Sequence, residues 1–314
     1  MSVEARPHRA GTSIEPERGR AVAVAPPAWS LVLLALFAVW VIWGSTYLAI
    51  KLALGSLPPF LMGGARSMIA GALLLAGLRL GGVAAPTAPQ WRNAGVIGIL
   101  MVTLANGAVV WAQGTIPSSL AALGVATTPL WVALATGLLE GWPRPAEWLG
   151  LAIGFAGVVL LNADGELRAT PTAAVLLLVA QLSWACGTIL NRRLALPQGA
   201  MASAAQMLVG GTTLLVIGLL AGERVSAMPS ATSLAAFAYL VVFGSIVAFS
   251  AFNFLIRNVS PALATSNAYV NPLVAVLLGV GFAGERLGET TTIAMVVILV
   301  GVAIVLLAHE RGRH

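Results

Sequence analysis

The chain has 314 residues, of which 59% are hydrophobic and only 9% charged, against roughly 25% charged in ordinary soluble domains. A water-soluble fold leaves much of its surface in solvent and cannot shelter so much apolar side chain, which excludes that class. The balance of 17 Lys+Arg against 11 Asp+Glu would suit nucleic acid, but its placement along the chain excludes that reading as well.

A helix that crosses a bilayer needs roughly 20 apolar residues. Ten such stretches follow one another, at about 30–50, 57–78, 93–112, 118–139, 146–162, 171–190, 201–221, 232–255, 261–283 and 290–308. In front of them stands a tail, 1–28, with Arg6, Arg9, Arg18, Arg20, Pro16, Pro26 and Pro27. It lacks apolar periodicity and is expected to be disordered and cytoplasmic. The first apolar run is too long for a signal-peptide core and has no small-residue cleavage site after it, so it is expected to remain in the mature protein. The connections are short and leave no room for a soluble domain.

Sorting basic residues by alternate loops gives the orientation. With the N-terminus inside, twelve fall on the inner side: Arg6, Arg9, Arg18, Arg20, Arg79, Arg92, Arg144, Arg192, Arg193, Arg257, Arg311 and Arg313. Four fall outside, Lys51, Arg168, Arg224 and Arg286. Both termini are therefore expected in the cytoplasm. The expected class is an all-α integral membrane protein with ten transmembrane helices.

Helix 1 carries Trp40, Trp43 and Tyr47 on one stripe (i, i+3, i+7). Tryptophan in mid-span differs from that of the interfacial belts, because its N–H wants a partner away from water. Trp43, Tyr47 and, in helix 6, Trp184 either contact a substrate or fill space between helices. Trp29, Trp91, Trp142 and Trp148 lie near helix ends and read as interface anchors.

Helix 2 carries Arg66, the one charge deep in a span, roughly 10 Å below the helix's outer end at about 1.5 Å per residue. It serves as counter-charge for a substrate carboxylate, which a guanidinium grips through two hydrogen bonds, or it bonds helix-end carbonyls or snorkels to the interface. Asn106 and Gln113 share a face of helix 3, Ser245 and Phe249 one of helix 8, and Asn267 and Asn271 one of helix 9. An amide facing lipid is unfavourable, so these face other helices or a cavity. Thr128-Pro129 in helix 4 and Asn271-Pro272 in helix 9 are matching breaks, since proline removes a backbone donor. The expected binding residues are thus Trp43, Tyr47, Arg66, Asn106, Thr128, Trp184, Ser245, Phe249, Asn267 and Asn271. Gly150, Gly154 and Gly157 form a small-residue face on helix 5 for close approach of helix 10 or of another protomer in a homo-oligomer. Cys186, the only cysteine, reads as a buried packing residue.

The chain repeats itself weakly at about 142 residues. Ser119–Leu134 reads SLAALGVATTPLWVAL, and Ala262–Leu277 reads ALATSNAYVNPLVAVL. Trp43 precedes Lys51-Leu52-Ala53-Leu54 much as Trp184 precedes Arg193-Leu194-Ala195-Leu196, and helices 5 and 10 end alike. Two units follow, 29–162 and 171–308. Five passes per unit force the second to start from the opposite side, giving inverted repeats with a site near the midplane between them.

These residues resemble the EamA family of the drug/metabolite transporter superfamily over roughly 32–308. The resemblance rests on Trp43-Gly44-Ser45-Thr46, Pro58-Pro59-Phe60 leading to Arg66, Pro129 and Pro272, and Glu140 and Glu285, the latter in Glu285-Arg286-Leu287. Ser67, where an aromatic is common, and Ala294, where Gly150 has its match, depart from the pattern. The resemblance implies export of amino acids or related metabolites from a bacterial inner membrane. Its nearest subgroup is the aromatic amino acid exporters of the YddG type.

No acidic residue and no histidine lies in the interior of a predicted span, and intramembrane carboxylates and histidines are what proton relays use. Transport without a side-chain proton-coupling site is therefore expected. The same absence argues against a membrane-embedded enzyme, which needs a nucleophile with a base or a metal cluster, and no cofactor or metal is expected. Nucleotide sugars would call for several cavity bases where only Arg66 is available. The expected partners are a small-molecule substrate and the lipid bilayer, without nucleic acid. A broader drug or metabolite exporter is the alternative.

Overall fold

The computed structural model describes residues 28–114, 124–161, 171–283 and 289–310. The tail through Pro27, Arg168 and the Glu285-Arg286-Leu287 segment lie outside the described residues. Every element among the described residues is helical. In chain order these are α1 (Trp29–Leu54), α2 (Pro59–Leu80), α3 (Ala88–Gln113), α4 (Gly124–Leu139), α5 (Pro145–Leu161), α6 (Pro171–Arg193), α7 (Ala200–Leu220) and α8 (Ala231–Asn258). Then come α9, in two pieces (Pro261–Ala264 and Asn267–Ala283), and α10 (Glu289–Glu310). Six of them, α1, α2, α3, α6, α7 and α8, are long and apolar enough to cross a membrane.

Local chemistry sets the ends. Pro59 opens α2 at its first position, where the missing N–H is not needed. Thr87 and Gln90 cap α3 reciprocally, which starts that helix at Ala88 rather than near 93. Ser230 accepts from the Ser233 N–H at 3.1 Å and starts α8. After α2 and α7 the chain turns through Gly82 (φ 82°) and Gly222 (φ 81°), a left-handed conformation open chiefly to glycine. In α3 and α8 an eight-residue π-helical stretch interrupts the α-helix, Ile99–Asn106 and Leu240–Val247.

Two antiparallel pairs form the frame. In the first, α2 packs on α7. A Cβ on Gly64 would lie 2.7 Å from Leu215 Cα, and one on Gly71 would lie 2.8 Å from the Ala204 carbonyl oxygen. In the second, α5 packs on α10, with Gly150 and Gly154 against Gly301 and Gly157 against Ile298. The glycine face of α5 thus takes the intrachain partner of the two that the sequence left open.

The remaining helices cross between these pairs. Gly124 meets Leu177 and Arg193 meets Glu140, so α4 and α6 run parallel. Trp40 reaches Ser266 and Gly44 meets Val274, so α1 and α9 run parallel. Ser233 donates to the Leu52 carbonyl and Trp43 to that of Gly244, so α1 and α8 run antiparallel.

Cys186 corrects an expectation. It is exposed, on a stripe with Val175, Val179 and Leu182, which are 40–59% exposed. That stripe is the face α6 turns away from the other helices, towards lipid. Its neighbours Ala185 and Ile189 are the ones that face inward.

Candidate functional site

The helices line a cavity open on one side, with about 910 Å³ of empty space that includes solvent at its mouth. All ten residues singled out from the sequence line it: Trp43, Tyr47, Arg66, Asn106, Thr128, Trp184, Ser245, Phe249, Asn267 and Asn271. They come from seven helices, so the tertiary fold and not chain proximity brings them together.

Arg66 is 5% exposed, and its Nη2 donates to Asn106 Oδ1 at 2.8 Å. Its Nε has no partner. The guanidinium therefore neither snorkels to an interface nor bonds a helix-end carbonyl. It sits in the cavity wall, joined to a neutral amide. No acidic side chain lines the cavity among the described residues. Among the described residues, both polar atoms of the Gln113 amide are buried without a partner, and so is Asn271 Oδ1, whose side chain interacts with the Tyr47 hydroxyl.

One end of the cavity is aromatic. Trp43, Trp184 and Phe252 form a triangle with ring centroids 5.6, 5.0 and 5.2 Å apart. The Trp43 indole N–H donates to the Gly244 carbonyl at 3.1 Å, inside the π-helical stretch of α8. π-Bulges disturb the regular backbone ladder, and such sites recur where function needs an available carbonyl.

Beyond the triangle, on the side where α1 begins, the centre is closed by polar groups. Asn253 donates to Ser203 Oγ (2.9 Å) and Gln206 Oε1 (3.0 Å), and Arg257 Nε donates to Asn191 Oδ1 (3.1 Å). Arg192 holds the Ile256 and Val259 carbonyls at 3.0 Å each. Glu140 pairs with Arg192 at 3.5 Å and Arg193 at 3.3 Å. Towards the end of α1 the lining continues to Ile50 and Gln113.

Sequence reasoning missed Gln181 and Thr46 in the lining and the whole Asn191–Asn253–Ser203–Gln206 cluster. Thr128 lies against Gln181 Oε1 across α4 and α6. Buried amides on α6, α7 and α8 were the available signal, because each must find a partner on another helix.

The EamA-like transporter family matches twice, over residues 30–163 and 171–307. The chain belongs to this family. It is 46% identical over 274 residues to the inner membrane transporter YedA of Escherichia coli K12, covering 87% of this chain and 90% of that one. It is 29% identical to protein PecM of Dickeya dadantii, covering 84% and 88% respectively. A crystal structure superposes with a TM-score of 0.75 at 22% identity, covering 91% of this chain and 99% of the other, a likeness of fold. This EamA-like protein is a multi-pass transporter of the inner membrane and not an enzyme.

Proposed function

We propose that the protein exports small amphipathic molecules bearing a carboxylate by alternating access, with aromatic and neutral amino acids as first candidates, as in exporters of the YddG type. The observation that carries this reading is Arg66, buried without a counter-charge among the described residues, in the wall of a cavity whose end is closed by indole and phenyl rings. Pockets for small organic ligands are mostly apolar with a few placed polar groups, and this one has that composition.

The chain reads as two inverted five-helix units, 29–162 and 171–308, with ten spans and both termini cytoplasmic. Several pairings support it. Exchanging each helix with the one five places on maps α2–α7 and α5–α10 onto themselves and α1–α9 onto α6–α4. The π-helical stretches of α3 and α8 and the glycine turns after α2 and α7 fall at matching places. Trp184 meets Phe252 and Arg192 reaches Val259, so α6 runs parallel to α8, to which α1 is antiparallel. The first helices of the two units thus point opposite ways, as inverted repeats require. In this orientation the cavity faces outward.

Purified protein in liposomes loaded with the same unlabelled amino acid, assayed with labelled phenylalanine, tryptophan, leucine, lysine and glutamate, tests the reading. Saturable uptake of the aromatic amino acids without an imposed proton gradient is expected. Absence of uptake for the whole panel refutes the substrate class, and strict dependence on an imposed proton gradient refutes transport without a side-chain coupling site.

A further inference from the structure

Arg66 also bears on how the carrier cycles. Among the described residues its one hydrogen bond goes to the neutral Asn106 amide, and Nε has none. The ion pairs among the described residues join Glu140 to Arg192 and Arg193, beyond the closed end. The eleven acidic residues of the chain all fall outside the predicted interiors of the spans. Among the described residues, no side chain of the membrane interior is therefore placed to neutralise this guanidinium.

While the cavity is open, its water solvates the charge. To face the other side the carrier must pass through a closed state that expels this water. An empty closed carrier then holds an unpaired cation among indoles, amides and alkyl groups, which costs several kcal/mol. A bound carboxylate removes that penalty, because it accepts from two guanidinium N–H groups at once and cancels the charge. The closed state is thus accessible when loaded and disfavoured when empty, in both directions of travel.

We propose that the protein is an obligate exchanger of carboxylates, with the substrate itself as the missing counter-ion of Arg66. This rests on the cavity being the substrate site, as proposed above. It predicts that outward movement of one carboxylate requires inward movement of another. An amine of the same shape lacking the carboxylate does not serve as the counter-substrate.

The test is counterflow in chloride buffer, with the full-length protein in liposomes and labelled phenylalanine outside. The inside holds unlabelled phenylalanine, phenylpyruvate, phenethylamine or buffer alone. Uptake more than about tenfold faster with either carboxylate inside than with buffer or phenethylamine is expected, a ratio set by the several kcal/mol above. Equal uptake into empty and loaded liposomes overturns the exchange mechanism and leaves the transport reading standing. That outcome also covers chloride acting as counter-ion. Acceleration by phenethylamine overturns the role of the carboxylate. No uptake under any loading removes the substrate reading and this proposal together. In Arg66→Gln, residual uptake should lose its dependence on internal carboxylate, whereas Arg66→Lys keeps the dependence at weaker affinity. A residual dependence in Arg66→Gln equal to that of the wild type overturns the assignment to Arg66.

Discussion

The indoles of Trp43 and Trp184 meet edge to face with their centroids 5.6 Å apart, each from the middle of its own helix, α1 and α6. Phe252 of α8 packs against both, so three helices converge on one aromatic plug between the cavity and the polar groups beyond it. A plug of large rings excludes water over a wide area while remaining divisible, since each ring belongs to a different helix. Trp43→Ala should open this end. Substrate affinity is expected to fall by about tenfold or more, since aromatic contacts of this kind are worth about 0.5–1.5 kcal/mol each beyond area burial. Trp43→Phe, which keeps a ring but loses the hydrogen bond to Gly244, should lose less. Concentration dependence of uptake for the two variants decides the order, and equal losses would rule out ring packing as the cause.

The polar cluster beyond the plug makes a second prediction. Asn253 bridges Ser203 and Gln206 while Asn191 donates to it, all four at 0–3% exposure. Asn253→Leu removes one member and strands the rest. Stranded buried polar groups cost about 1–3 kcal/mol, so the melting temperature in detergent should fall. Asn253→Asp, which retains acceptors but places a charge there, should fall further. An unchanged melting temperature in Asn253→Leu would mean that the cluster is hydrated and not closed.

Glu140 ties the end of α4 to the end of α6 through Arg192 and Arg193. These groups are partly exposed, and pairs of that kind contribute about 0–1 kcal/mol. The bridge therefore biases the closed end without locking it. In Glu140→Gln a cysteine at position 203, in a Cys186→Ser background, should be labelled by thiol reagents from the closed side up to about fivefold faster. The native cysteine must go first because it is exposed. Slower labelling in Glu140→Gln would contradict the latch.

Much of this site was legible in the sequence because membrane helices restrict what a polar residue can do. An arginine, an amide or a tryptophan in mid-span must face protein or a cavity, so listing them nearly lists the lining. The all-helical class and the glycine faces followed from the same restriction. Three features were not legible. The π-helical stretches in α3 and α8 leave no compositional mark, since a π turn arises from one extra residue in the ladder rather than from a residue type. The partners of Asn191, Ser203 and Gln206 depend on which helices meet, which no single helix reveals. Cys186 was misplaced because an apolar helix carries no amphipathic signal to tell its lipid face from its packed face, both being equally apolar.

The α5–α10 pair tests the frame itself. Gly301 lies so close to α5 that an added Cβ would sit 2.7 Å from Gly154 Cα and 2.8 Å from the Gly150 carbonyl oxygen. Both obstacles are backbone, which cannot turn aside as a side chain can, so the helices must separate. Overpacking of this kind typically costs about 1–3 kcal/mol. Gly301→Ala should therefore lower the melting temperature and the yield of monodisperse protein. Gly77→Ala provides the comparison, because nothing lies within 4 Å of the Cβ it would add. There alanine also improves the helix by about 1 kcal/mol over glycine, so its melting temperature should hold or rise. If the two variants melt alike, the close contact between α5 and α10 is not what sets the stability of this end of the molecule. The transport cycle would then be free to separate these helices, and the pair that stays fixed would have to be sought between α2 and α7.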